Sequence, residues 1–264
     1  MKQTASCALV LVLAATFGLL LTGCPKRSTI AVPEADIVVA SDGSGDYESI
    51  SEAVENASNG DVVFVKAGVY EEEVEVEDLS ELVLAGAGPD KAIIDADDEY
   101  AALTLVEGEI EVYGFTIKGA SSHGVYIKDG HHRIHHCLIV DNEDRGIYFS
   151  SFSGDPTAEI DHCTIVDNGV SGIYIPTDDK GNRVTNCIIA SDGRGIVSDE
   201  NTGNIVIEHN CLYNDGNNLD KVNEGEGNVF EDPGFADPYD GDYRLSSGSP
   251  CKGAATDGGD LGCF

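Results

Sequence analysis

Short apolar runs separated by glycine and turn residues fill the middle of the chain, and they recur in the same order. Each repeat opens with a glycine and an apolar, aromatic run, such as Gly-Val-Tyr-Ile at 124–127, and continues with a second apolar run that ends at polar turn residues. The opening glycines, which are 22, 26 and 23 residues apart, are Gly124, Gly146, Gly172 and Gly195. No helical stripe separates these runs, so they predict short β-strands joined by turns.

A unit of this length cannot bury its apolar face alone and must stack on its neighbours. The sequence therefore predicts an all-β fold, a single-stranded right-handed parallel β-helix, in which equal positions of successive coils lie about 4.8 Å apart. Two positions should form columns: buried, inert thiols at Cys137, Cys163 and Cys187, and polar corners at Asn142, Asn168 and Asp192.

The two ends of the repeat region need covers, because an exposed solenoid end invites strand addition. Ser49 and Glu52 have the spacing of a capping box and open a short amphipathic helix, which we expect over the first coil. At the other end, Phe235, Tyr243 and Leu245 are expected to lie over the last coil. The predicted division is a signal peptide at 1–23, a tether at 24–36, the β-helix at 37–231 and a C-terminal cap segment at 232–264.

The first residues form a targeting segment, with Lys2 before an apolar stretch too short to span a membrane comfortably. Its end, Leu-Thr-Gly-Cys at 21–24, resembles a bacterial lipobox. That resemblance implies cleavage before Cys24, lipid attachment to its sulfur, and a lipid-anchored protein at the outer membrane or cell surface of a bacterium. The alternative is ordinary secretion with an unmodified Cys24.

The net charge of the chain excludes some classes of binding partner. Asp and Glu number 48 against 15 Lys and Arg, a formal net charge of −33. Such a field repels nucleic acid and anionic lipid, so we expect no nucleic-acid partner and membrane contact only through the lipid anchor. We also expect a monomer. Among the remaining cysteines, Cys211 is shifted by one from the thiol column and points outward, while Cys251 and Cys263 enclose a glycine-rich loop and predict a disulfide.

A family resemblance appears near the start of the repeat region. Ser-Asp-Gly-Ser-Gly-Asp at 41–46, Val-Lys-Ala-Gly-Val-Tyr-Glu-Glu at 65–72 and Leu-Ala-Gly-Ala-Gly at 84–88 resemble the opening of pectin methylesterases, members of the pectin-lyase-like β-helix superfamily. The resemblance covers residues 37–95. The tail, with Asp-Pro-Gly-Phe-Ala-Asp-Pro at 232–238, is similar to the terminal segment of bacterial surface β-helix proteins.

The resemblance implies a carboxylate nucleophile beside a second carboxylic acid, with glutamines for the oxyanion and an arginine that fixes the nucleophile. Glu143 and Asp144 stand at the expected Gln-Asp pair, and His123 stands at the first glutamine position. Val170 occupies the second aspartate position, and Arg194 lies in a Gly-Arg-Gly element without the family's tryptophan. Esterase activity by that two-carboxylate mechanism is therefore predicted to be absent.

Other chemistries use the same coils. A calcium-dependent polysaccharide lyase would draw on Asp141, Asp144, Asp167 and Asp192 with Arg145 and Arg194. Calcium is the one cofactor left open, also at the Asp-rich loops 215–220 and 237–242. The column of His136, His162 and His209 could ligate copper or zinc. A polar corner of the coil explains the same column without a metal, so we assign no metal site.

The leading hypothesis is a surface module that binds extracellular or envelope polysaccharide without the full catalytic set. Tyr126, Tyr148 and Tyr174 recur in the Gly-x-Tyr motif and can stack on sugars if they point outward; pointing inward, they belong to the core. The alternative is a polysaccharide-active enzyme, a uronate lyase, esterase or epimerase, built on Glu143, Asp144, Arg145 and Arg194. A structural adhesin without ligand is the third possibility.

Overall fold

The computed structural model describes residues 34–151, 154, 156–176, 181–202 and 204–264. The signal peptide, Cys24 and most of the tether lie outside these residues. The described chain winds into a parallel β-solenoid of about seven coils, in which each coil adds one strand to each of three parallel sheets.

The strands are numbered along the chain. Sheet A contains β1 (Ile37–Val39), β2 (Val62–Val65), β5 (Glu81–Gly86), β8 (Glu109–Tyr113), β11 (His131–His135), β14 (Thr157–Asp161), β17 (Arg183–Thr185) and β20 (Val206–Glu208). Sheet B contains β3 (Gly68–Glu71), β6 (Ala92–Asp95), β9 (Phe115–Lys118), β12 (Leu138–Val140), β15 (Thr164–Val166), β18 (Ile188–Ala190) and β21 (Cys211–Tyr213). Sheet C contains β4 (Val74–Val76), β7 (Ala101–Leu105), β10 (His123–Ile127), β13 (Arg145–Phe149), β16 (Ser171–Tyr174), β19 (Ile196–Thr202) and β22 (Leu219–Val222).

The repeats stack in the predicted register. In sheet C, Val125 pairs with Ile147 and Ile147 with Ile173, and all three side chains are fully buried inside the coil. In sheet B, Ile139 pairs with Ile165 and has the same burial. One apolar column per sheet therefore fills the interior, and burial of these side chains stabilises the stack.

The polar corner column between sheets B and C is confirmed. Asn142 Nδ2 donates to Asn168 Oδ1 at 2.9 Å, and Asn168 Nδ2 donates to Asp192 Oδ1 at 3.0 Å. The residues before the two asparagines, Asp141 and Asp167, have φ of 55°, a left-handed conformation that Asp tolerates. Each turn is thus closed by the side chain of the next coil.

The histidine column is a second corner, between sheets A and B. His136 and His162 have φ of 50° and 48°, and Asn186, in the same column, has φ of 56°. The His136 and His162 rings stack with centroids 5.1 Å apart. Within the described ranges, no three His, Cys, Asp or Glu side chains are grouped so as to hold a metal ion. The corner conformation accounts for this column.

The thiol column is confirmed as core. Cys137, Cys163 and Cys187 are fully buried, and the Cys163 amide donates to Cys187 Sγ at 3.4 Å. Burial raises the pKa of the Cys137 and Cys163 thiols, so both stay protonated. Asn210 continues the column and accepts the Cys187 amide at 2.9 Å.

Helix α1 (Ile50–Glu55) is present where the capping box predicts it. Ser49 Oγ accepts the Glu52 amide at 3.2 Å, and the helix buries Ile50, Ala53 and Val54. The Glu72 carboxylate accepts a hydrogen bond of 2.8 Å from the Ile50 amide, which has no partner within the helix. An acidic group is expected at the start of a helix. The role of α1 as a cover for the solenoid end stays a prediction. No helix in the described part of the chain has the length and apolar character that a membrane crossing requires.

The C-terminal segment, residues 232–264, does not lie where we expected. Its strands β23 (Phe235–Asp237) and β24 (Asp242–Leu245) pair antiparallel, joined by a 3₁₀ helix (Pro238–Asp240). Phe235, Tyr243 and Leu245 pack on the outer face of sheet B, not over the last coil. The reason is that β12, β15 and β18 carry apolar residues on both faces, and the outer set also needs a cover.

The predicted Cys251–Cys263 disulfide is not formed in this structure, in which Cys251, Cys263 and Cys211 are all free. The Cys263 amide donates to Thr164 Oγ1 at 3.2 Å, which holds this residue on β15. Cys251 instead faces Cys211. Cys211 points outward from the coil, as expected, but it is buried beneath the C-terminal segment.

Asp192→Asn is expected to stabilise the fold at neutral pH. Burial raises the pKa of Asp192 well above its usual range, whereas in the unfolded chain the carboxyl ionises near pH ~4. Folding therefore takes up a proton above that pH, and the stability due to this group is lost as pH rises towards the folded pKa. Asparagine keeps the accepting oxygen and needs no proton.

Thermal unfolding at several pH values measures this effect. The variant should gain about 2–4 °C in Tm for each kcal/mol recovered, with the gain growing from pH 4 to pH 7. The exposed Asp240→Asn is the matched control and should show no such trend. A gain equal at both pH values, or a loss at pH 7, contradicts a neutral Asp192.

Candidate functional site

A column of tyrosines lies on the outer face of sheet C. Tyr126 pairs with Tyr148 across β10 and β13, and Tyr148 pairs with Tyr174 across β13 and β16. Their neighbours Val125 and Ile127 are buried inside the coil, while the three tyrosines are partly exposed. The tyrosines therefore point outward, which removes the core alternative for them.

The rings of this face form a continuous aromatic surface. Ring centroids are 5.4 Å apart for Tyr126 and Tyr148, and 5.3 Å apart for Tyr148 and Tyr174. His123 stacks on Tyr148 at 4.3 Å, and Tyr100 meets His123 edge-on at 5.3 Å. The rings are regularly spaced because they occupy equal positions in stacked coils.

The two residues before each repeat glycine form two more columns beside the tyrosines. In successive coils these pairs are Ser122 with His123, Asp144 with Arg145, Val170 with Ser171, and Gly193 with Arg194. The Arg145 amide donates to Ser122 O at 3.0 Å, and the Ser171 amide donates to Asp144 O at 3.2 Å. A Cβ on Gly124 would lie 2.7 Å from Asn142 Nδ2, so only glycine lets the chain approach the corner column here.

Asp144 presents an accessible carboxylate at the edge of the aromatic surface. Its side chain is 44% exposed, and Oδ2 accepts the Ser122 hydroxyl at 2.9 Å. The Arg145 guanidinium lies 3.9 Å from the same oxygen. The carboxylate is thus oriented by a donor and open on the solvent side.

Arg145 is held mainly by aromatic rings. Its guanidinium carbon lies 5.2 Å from the Tyr148 centroid and 4.9 Å from the Tyr174 centroid, within the range of cation–π attraction. Its buried Nε and the buried Ser171 hydroxyl in the next coil have no hydrogen-bond partner among the described residues. Polar groups of this kind fit a site that receives a polar ligand.

His123 is neutral in the folded protein. Burial and the nearby Arg145 charge lower its pKa to about 4. Its Nε2 lies 3.3 Å from the Tyr100 hydroxyl, and the Ser122 hydroxyl lies 3.4 Å from the ring nitrogens. A neutral imidazole therefore connects two hydroxyl groups beside the Asp144 carboxylate.

The structure separates the other predicted site residues. Glu143 is exposed, and Arg194 pairs with Asp220 in the following coil at 3.1 Å. Of the aspartates considered for a lyase, Asp192 is buried in the corner column and Asp167 accepts the Tyr243 hydroxyl at 2.8 Å. The calcium-lyase cluster is therefore not assembled around Asp144.

Sequence reasoning did not single out Tyr100, Ser122 or Ser171 as site residues. Ser122 and Ser171 occupy the same repeat positions as Asp144 and Arg145, so listing both pre-glycine positions of every coil finds them. Tyr100 lies outside the repeat and reaches the site because it precedes β7. No sequence signal marks that contact.

Comparison with protein families identifies the fold. A family model described as a right-handed β-helix region matches residues 100–247, and the chain belongs to that family. A second family model, pectinesterase, matches residues 36–114. The predicted handedness and the resemblance of the N-terminal part to pectin methylesterases are both confirmed.

Individual relatives match the N-terminal part only. Over 70 residues the chain is 47% identical to a probable pectinesterase/pectinesterase inhibitor 21 of Arabidopsis thaliana, which is 25% of this chain and 10% of that protein. A pectinesterase 2 of Citrus sinensis is 46% identical over 66 residues, 24% of this chain and 13% of the relative. The chain thus matches about a tenth of the length of these relatives. The solved structure of a pectin methylesterase from carrot covers 72% of this chain and 65% of its own, with a TM-score of 0.41 and 21% identity.

Arg145→Gln is expected to raise the pKa of His123 from about 4 towards 6.5, because a neighbouring positive charge no longer opposes protonation of the ring. Only part of the shift should be recovered, since burial of the ring remains. An NMR titration of the His123 ring signals measures the change. Arg133→Gln on sheet A is the control and should leave His123 unmoved; an unchanged His123 pKa in Arg145→Gln contradicts the contact.

Proposed function

We propose that the protein is a polysaccharide-active enzyme, a carbohydrate esterase that binds its substrate along the outer face of sheet C and reacts at Asp144. The observation that carries this proposal is an oriented, half-exposed carboxylate at the edge of an aromatic surface. The pectinesterase match over residues 36–114 and the relatives named pectinesterase support an esterase over a purely binding module.

The shape of the face suits a chain of sugars. Tyr126, Tyr148 and Tyr174 give a flat surface that runs along the solenoid axis, and the faces of sugar rings stack on such side chains. Arg145 and Lys128 place cations over these rings. Lys128 is paired with Glu75 at 2.7 Å, so Arg145 is the cation that a carboxylate of an acidic polymer would meet on this face.

The chemistry would begin with attack of an Asp144 oxygen on the carbonyl carbon of a sugar ester. The alcohol leaves with a proton and a mixed anhydride remains, which water hydrolyses to restore Asp144 and release the acid. Arg145 is placed to stabilise negative charge on the carbonyl oxygen. Since Val170 stands at the second-carboxylate position, the proton for the leaving alcohol has to come from another group, and the Tyr100–His123–Ser122 contacts offer exchangeable protons there.

Release of methanol from methyl-esterified polygalacturonate tests the reaction. Asp144→Asn removes the nucleophile and should lower the rate at least ~100-fold, while Glu159→Gln, on the exposed face of sheet A, should keep the wild-type rate. Val170→Asp restores a second carboxylic acid and should raise the rate. The proposal fails if the wild-type protein releases no methanol, or if Asp144→Asn retains its activity.

The second candidate is polysaccharide binding without turnover, and Val170 at the second-carboxylate position favours it. Tyr148→Ala removes the central ring and should weaken binding to polygalacturonate about tenfold, as loss of ~1.4 kcal/mol of stacking would. Affinity electrophoresis measures this, with the fully exposed Tyr239→Ala as control. Binding without methanol release supports this candidate, and absence of both contradicts both functions.

The lipid anchor at Cys24, the bacterial cell-surface address and the monomeric state belong to the same proposal and rest on the sequence alone. With this anchor, the face of sheet C would be in reach of envelope or extracellular polysaccharides. Mass spectrometry of the membrane fraction, which would show a lipid-modified Cys24 as the mature N-terminus, tests the anchor.

A further inference from the structure

The outer face of sheet B and the C-terminal segment share an apolar cluster that contains two cysteines. Cys211 opens β21 and pairs with Ile188, whose side chain points outward from the coil. Cys251 belongs to the segment that covers this face. Both side chains are fully buried in this cluster, and each thiol is the neighbour that most strongly shifts the pKa of the other. The Cys211 thiol donates to Glu231 O at 3.3 Å, which leaves its sulfur beside Cys251. This contact joins the last coil to a segment forty residues further along the chain.

The backbone on each side of this contact is fixed. The Cys211 amide donates to Cys187 O at 2.8 Å, and Leu212 donates to Val229 O at 2.8 Å. The Cys251 amide donates to Ser249 Oγ at 3.1 Å, and the Leu261 amide donates to Cys251 O at 3.0 Å. Two thiols in contact on fixed backbones need little movement to form a covalent bond.

Cys263, the other thiol of this segment, lies at a different strand of sheet B. Cys263 is held on Thr164 in β15, and β15 is separated from β21 by β18. Thr164, which holds Cys263, is two strand spacings or about 9.6 Å from β21, more than the Cα separation of about 7 Å that a disulfide can bridge. Cys263 therefore cannot replace Cys251 as the partner of Cys211 without a change in the fold.

We infer that Cys211 and Cys251 form a disulfide that fastens the C-terminal segment to the solenoid when the protein folds in the presence of a small-molecule disulfide. One thiolate attacks oxidised glutathione and releases one reduced glutathione. The second thiolate attacks the resulting mixed disulfide and releases another, so two protons and two electrons leave the protein. Because both sulfurs are buried after docking, the exchange takes place while the segment is still detached.

The thiols of Cys137 and Cys163 lie inside the coil, where burial keeps them protonated. They are expected to stay reduced under the same conditions.

Peptide mapping of the full chain tests this inference. The protein is refolded in oxidised and reduced glutathione, its free thiols are alkylated in denaturant, and it is cut with trypsin without reduction. Cleavage after Arg194, Lys221, Arg244 and Lys252 places Cys211, Cys251 and Cys263 on three separate peptides: 195–221, 245–252 and 253–264. The expected product joins 195–221 to 245–252 with a loss of two hydrogens, while Cys263 is alkylated.

The melting temperature of oxidised and reduced protein, and two serine variants, provide independent tests of the disulfide. Oxidised wild-type protein should melt roughly 5–15 °C above the reduced protein, because the bond closes a long loop. Cys211→Ser should abolish both the linked peptide and the redox-dependent shift, and Cys263→Ser should keep both. A link between 245–252 and 253–264, or an alkylated Cys251 in oxidised protein, overturns the inference. Methanol release plays no part in these readouts, so their failure is separate from failure of the proposed esterase.

Discussion

Closure of the corner between sheets B and C is the constraint on which the rest of the molecule depends. A parallel coil can stack only if the backbone groups of each turn are satisfied by the coil beside it. Asn142, Asn168 and Asp192 do this with their side chains, each accepting an amide or donating to the neighbouring coil. The same column forces a glycine into every following strand, because Gly124 and Gly146 lie against the asparagine side chains.

That glycine determines the face on which the functional side chains lie. In a regular strand His123 and Val125 would share a face, because side chains alternate. The close approach of Gly124 to the corner interrupts the alternation, so His123 lies outside the coil with Tyr126 while Val125 lies inside. Asp144 and Arg145 leave the corner in the same way. The candidate site is therefore a consequence of corner packing repeated in adjacent coils.

This interruption also explains which features of the fold and the site could be predicted from the sequence and which could not. The repeat spacing predicts the solenoid, the thiol core and the corner columns, since each depends on a period that is visible in the residues. The outward direction of His123 and Arg145 does not follow from the period, because it depends on a local break in alternation. The covered outer face of sheet B was missed for a related reason: Leu138, Ile139 and Val140 are all apolar, and no pattern tells the inner residue from the outer two.

The three faces of the solenoid differ in a way that favours sheet C as the working surface. Sheet B is covered by the chain's own C-terminal segment, and on sheet A the Arg133 cation is paired with Glu111 at 2.8 Å. On sheet C, Lys128 pairs with Glu75 at 2.7 Å and Arg194 with Asp220 at 3.1 Å, whereas Arg145 stands 3.9 Å from Asp144 and rests on two rings. Arg145 is therefore the cation of these three without a close carboxylate partner, and in the proposed reaction it would be available to the carbonyl oxygen of a bound ester. Asp144 and Arg145, which belong to a single coil, would then serve both substrate binding and the reaction.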